Sequence, residues 1–181
     1  MGSKEPTPCP APPVEEIPML LDHLLNLYLR EIATLERELE LYPDDDTVWA
    51  ELTGLPNTAG TLFLHLAGSL QHFFGAVYGE TGYVRDREAE FSRRGVPRSE
   101  LRRELAGARA GVQAAFTRLR EEDLARVFPV RYADEPVSVQ LTLLQFLSHL
   151  AFHLGQIDYH RRAVTGHRVS AGAVDPAHLR P

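Results

Sequence analysis

The residues best suited to chemistry in this sequence are histidines set within apolar stretches. The segment QFLSHLAFHLGQIDYHRR places His149 and His153 four residues apart. That is one turn of an α-helix, so both rings share a face and can chelate one ion. Gln145 lies a turn before the pair and Gln156 a turn after it. His160, eleven residues past His149, returns to nearly the same face after about three turns. The result is an unusually polar stripe on an apolar helix, costly to bury without partners. A second stretch, TLFLHLAGSLQHFFG, carries His65 and His72 seven residues apart and also on one face. Either can complete a three-histidine set, and helical geometry alone does not choose between them.

Neutral imidazole is the commonest metal ligand, and three protein ligands with a position for water or substrate is the arrangement of catalytic rather than structural sites. No Asp, Glu or Cys is expected on the same core face, so the sequence offers no fourth ligand. One histidine on an apolar helix is ordinarily a hydrogen-bonded core residue; histidines on two core-facing helices together point to an ion. Imidazole suits zinc, nickel, copper and iron alike. His72, Gln145, Gln156 and His160 are candidates to orient ligands or substrate from outside the ligand set. Each reads equally well as a polar residue facing solvent or a neighbouring helix.

Other chemistries lack their residues. His149-Leu150-Ala151-Phe152-His153 has no Glu after the first His, as zinc proteases require, and no Glu-x-x-His pair supports a di-iron site. Glycine-rich phosphate loops are absent, and Ser69 and Ser148 fall inside helical patterns rather than on a nucleophile elbow.

The elements that must position these histidines follow from apolar spacing. Leu21, Leu24, Leu25, Tyr28, Ile32, Leu35 and Leu39 predict a first amphipathic helix from Met19, ended by Pro43 and the Asp44-Asp45-Asp46 run. Thr47 to Leu52 predicts a short turn carrying Trp49 and Leu52 inward. Asn57 or Thr58 can cap a second helix running to Gly79 and apolar almost all round. Glu80 to Pro97, charged and broken by Gly82 and Gly95, reads as a long connection. Ser99 is expected to cap a third helix through Leu101, Leu105, Ala108, Val112, Ala115 and Leu119. Val127 to Tyr132 is a β-prone arm too isolated to make a sheet. Ser138 caps a fourth helix from Val139 to about Val164, stopped by Gly166.

These readings predict an all-α four-helix bundle over residues 19–166, after a flexible proline-rich tail over residues 1–18 and before a weakly ordered tail over residues 167–181. With 44% hydrophobic residues in 181, one domain can bury its own core. A net charge of −6 disfavours a nucleic-acid partner, because a phosphate backbone needs clustered Lys and Arg. The single cysteine, Cys9, excludes an internal disulfide and a Cys-based metal site. No stretch approaches the roughly 20 apolar residues of a membrane span, and no signal-peptide layout opens the chain, so a cytoplasmic location is expected. The all-round apolarity of the second helix makes a homodimer contact plausible, unless the long connection covers it.

The fragments LFLHLAGSLQHFFG and LSHLAFHLGQIDYHRR, about seventy residues apart, together with the YVRDREAEF connection, resemble the DinB-like, or damage-inducible, helical superfamily of small bacterial proteins. The similarity covers Met19 to about Gly166. It implies a four-helix bundle holding a divalent ion, nickel or zinc, through one histidine of the second helix and two of the fourth. By position these are His65, His149 and His153. It further implies a thiol S-transferase that joins a low-molecular-weight thiol such as bacillithiol or mycothiol to small electrophiles; the alternative is a non-catalytic, stress-associated bundle in which the ion is structural or absent.

Overall fold

The computed structural model describes residues 19–175 and 177. The proline-rich tail with Cys9, and the last residues of the chain, lie outside them. Helix α1 (Leu20–Glu40) buries Leu21, Leu24, Tyr28, Ile32, Leu35 and Leu39, the three- and four-residue stripe that faces a core. Asp44 opens the short α2 (Asp45–Val48) by accepting the Thr47 amide at 2.7 Å. Here Val48 is buried, while Trp49 is half-buried with its indole N–H on the Val96 carbonyl at 2.9 Å.

Helix α3 (Ala59–Leu70) begins at Thr58, whose hydroxyl accepts the Thr61 amide, and all twelve of its residues are buried. The apolarity that suggested a dimer contact is therefore covered within the chain itself. The sequence predicts one continuous helix to Gly79. Instead, Gln71–Ala76 widens to a π-helical turn. This segment meets α5 (Arg98–Arg118) backbone to backbone, for a Cβ on Gly111 would stand 3.0 Å from the Gly75 Cα. Two bare glycines are what allow that approach.

The cap position of helix α5 is Pro97 rather than Ser99, and its Arg98 amide is tethered to the Asp45 carboxylate at 3.3 Å. The Glu80–Pro97 connection is not featureless: it contains α4 (Arg87–Ser92), capped by Asp86 and packed against α3. After α5, residues 127–138 fold back as an arm with an isolated Val127–Ser138 bridge and Phe128 buried. No strand forms among the described residues. Ser138 accepts the Leu141 amide to open α6 (Val139–Thr165), and Gly166 closes it with a left-handed φ of +69°.

The architecture is all-α. The α3–π unit packs against α4, α5 and α6, while α1 packs against α5 and α6. Behind α6, the fully buried Arg161 pairs with Glu38 and Asp158 and donates to the carbonyls of His167 and Val169. Arg37 likewise binds the Ala171 carbonyl at 2.7 Å, so residues 167–171 run back against α1 and α6. No helix among the described residues is long and apolar enough to cross a membrane.

Candidate metal centre

Three histidines converge where α3 faces α6. His65 projects from the middle of α3; His149 and His153 project from successive turns of α6. One ligand nitrogen from each lies within 4.8 Å of the others. The Nε2 atoms of His65 and His149 are 3.1 Å apart, and the three ring centroids are separated by 4.5 to 5.3 Å.

Two of the rings are aimed by hydrogen bonds on their far nitrogens. His65 Nδ1 donates to Glu90 Oε2 at 3.0 Å, and His153 Nδ1 donates to Gln156 Oε1 at 2.6 Å. A proton on Nδ1 leaves the Nε2 lone pair directed at the cluster, the support that metal-bound imidazole ordinarily has. Glu90, only 5% exposed, is itself clamped by Arg85 at 2.7 and 2.9 Å. Burial pushes its carboxyl upward, but the hydrogen bonds from His65 and Arg85 and the guanidinium charge prevail and hold it below the ordinary carboxylate range. Gly68 gives the carboxylate its space, since a Cβ there would collide with Oε1.

Burial lowers the His149 imidazole to about 4, helped by His153, His65 and Arg85; burial also lowers His153, against the Gln156 bond. Both rings are thus neutral at physiological pH, the form that ligates metals. Phe91, Phe146 and Phe152 pack on His65, His149 and His153 at ring separations of 4.8, 6.2 and 5.2 Å. His149 and His153 are nevertheless only half-buried, so the cluster reaches the surface. This donor set can hold a metal ion: three imidazole nitrogens, two of them oriented by hydrogen bonds, with aromatic rings beside them.

The other sequence candidates separate. His72 sits in the π segment, edge-on to Phe73, about 10 Å further along the helix axis than His65, too far to share an ion. His160, read equally well as a support for the site or as a structural residue, is a buried structural residue. Its Nε2 donates to the Ala50 carbonyl at 2.8 Å and its Nδ1 accepts from the Tyr42 hydroxyl at 2.9 Å. Gln145 is exposed to solvent. Gln156 does reach the site. The sequence offers no acid as a fourth ligand on the histidine faces; Glu90 arrives from α4 and meets the far nitrogen of His65, outside the ligand cluster.

A family model of the DinB superfamily matches residues 27–157, a span that contains all three histidines. The chain belongs to the DinB superfamily. This DinB fold also matches a crystal structure described as a conserved protein from Enterococcus faecalis, with a TM-score of 0.67 and 18% identity over 83% of this chain and 100% of that one. At that identity the likeness concerns the fold alone. No curated protein matches the chain.

Proposed function

We propose that this DinB-family protein is a thiol S-transferase in which His65, His149 and His153 hold a divalent ion, nickel or zinc, and a low-molecular-weight thiol is joined to an electrophile. The observation that carries the reading is the ligand set itself. It comprises three imidazoles at a place open to the surface, with the Glu90 carboxylate turned to the far nitrogen of His65 rather than to the cluster. A bound divalent ion would supply Lewis-acid chemistry, lowering the pKa of a coordinated thiol or water. Glu90 and Gln156 fix the orientation of His65 and His153, and the burial of His149 keeps it unprotonated. Phe91 and Phe146 border the cluster and thin the water around the reacting groups. In the transfer, a bond forms between the thiol sulfur and the electrophilic carbon as the bond from that carbon to its leaving group breaks with its electron pair; the thiol proton passes to water.

Elemental analysis of the untagged protein beside the His149→Ala, His153→Ala double variant tests the site, with about one ion per chain expected in the first and almost none in the second. Equal metal in both would sink it. Conjugation of a cysteine-derived thiol to 1-chloro-2,4-dinitrobenzene then tests the reaction. Activity retained by the double variant would reject this mechanism, and metal without conjugation would favour an ion that only pins α3 to α6.

A further inference from the structure

One turn beyond His153, a cavity of about 320 Å³ lies between α6, the start of α3 and the loop before it. Its walls are apolar: Leu52, Leu55, Pro56, Leu62, Tyr159 and Ala163. Of its polar residues, His160 has both ring nitrogens engaged by Tyr42 and Ala50, and the Gln156 carbonyl is engaged by His153. The Gln156 amide nitrogen, the Asn57 carboxamide and the Tyr159 hydroxyl remain as hydrogen-bonding groups. No Asp, Glu, Lys or Arg lines the space, so an ionised ligand would shed its hydration there without an ion partner.

The cavity and the histidine cluster are built from the same two helices. Gln156 belongs both to the cavity wall and to the hydrogen bond that aims His153. Leu62 lies three residues before His65, as Gln156 lies three after His153, an axial step of about 4.5 Å in each helix. A larger groove of about 640 Å³ beside α1 differs in kind: Glu36, Arg37, Glu40 and Arg102 line it, and it shares no residue with the cluster.

We infer that the 320 Å³ cavity binds the uncharged, apolar body of the electrophile whose reactive carbon is presented at the histidine cluster. The word electrophile rests on the transfer function proposed above; the preference for an uncharged apolar ligand does not. The volume lies within the range of about 300–1,000 Å³ that holds small organic ligands. Bacillithiol carries ionised amino and carboxyl groups near neutral pH and mycothiol a polyhydroxylated sugar body, and this apolar lining complements neither, so the thiol is not the occupant. At the mouth, Leu55 is 54% and Tyr159 78% exposed, apolar surface that such a ligand would cover. The two carboxamides suit a single neutral acceptor, such as a carbonyl or nitro oxygen, on an aromatic or alkyl body.

The test is equilibrium binding of 1-naphthol and of the charged 1-naphthoate to the untagged full-length protein by calorimetry. The wild type should bind 1-naphthol at least about tenfold more tightly than 1-naphthoate. Leu55→Asp and Ala163→Glu place a charge in the lining from exposed positions. Each should weaken 1-naphthol binding by about tenfold or more, with metal content and helicity unchanged. Equal affinity for the two probes, or 1-naphthol binding indifferent to both substitutions, would overturn the inference. In the conjugation assay, the same variants should raise KM for 1-chloro-2,4-dinitrobenzene by a similar factor. If the wild type conjugates nothing, thiol transfer fails and with it the naming of the occupant, while the naphthol comparison still decides what the cavity accepts.

Discussion

The Glu90 carboxylate stands 3.0 Å from Nδ1 of His65, twenty-five positions along the chain and on a different helix. Arg85 fixes that carboxylate from one side, and the missing side chain of Gly68 admits it from another. The ring most deeply set in α3 is therefore aimed by the connection between the second and third long helices.

Replacing Glu90 by Gln keeps the volume but removes the anion that polarises the His65 N–H. Metal affinity measured by competition with a chelator should fall about 10- to 100-fold with helicity unchanged. Gly68→Ala, which displaces the same carboxylate, should shift affinity in the same direction. Unaltered affinity in both variants would mean that the ring is aimed by something else.

His65→Ala and His72→Ala should part company. Two turns of helix separate the residues, and only His65 meets the α6 pair. Metal per chain should drop by about tenfold or more in the first and stay at the wild-type level in the second. The reverse outcome would relocate the centre.

Metal-free protein should lose stability as acid is added. The imidazole of His149 is held at about 4, mainly by burial, and burial also lowers His153, His72 and His160. Unfolded, these rings take up protons near their ordinary pKa of about 6.5. The unfolded chain thus binds more protons between about pH 6.5 and 4, and stability falls with pH there by up to about 1.4 kcal/mol per unit for each group. Glu38, pushed upward by burial, acts in the opposite sense. Urea midpoints of the apoprotein should decline across this window, less steeply for His149→Gln; a flat profile would contradict the burial of these rings.

Arg161 and Glu38 are both fully buried and paired. Arg161→Met leaves a buried carboxylate facing an apolar chain and should cost about 3–5 kcal/mol in chemical denaturation, with metal content unchanged. Pairing it with Glu38→Leu should recover much of that loss. A single variant as stable as wild type would show that Glu38 is neutral in the native state.

The four long helices were legible because their apolar residues recur at helical steps and Thr58, Ser138 and Gly166 mark their ends. His149 and His153 were legible for the same reason, being one turn apart on one element. Glu90 was not. It lies in a charged stretch whose short helix is set by its packing on α3, and nothing in its local pattern distinguishes it from the exposed Glu88 two residues before it. The choice between the two readings of His160 was not legible, because sharing a face is not sharing a depth: eleven residues carry it about 16 Å along the axis, to partners in other segments. The π turn at Gln71–Ala76 also went unseen, since it is accommodated by the crossing at Gly75 and Gly111, a tertiary contact.

Because the carboxylate that aims His65 belongs to the segment between α3 and α5, grip on an ion and order in that segment are thermodynamically linked, each strengthening the other by the same free energy. An ion at the cluster would therefore slow amide exchange and proteolytic nicking across residues 85–92, well beyond the residues that touch it. Conversely, a partner or lesion that pulled this segment away would release the ion without altering a single histidine.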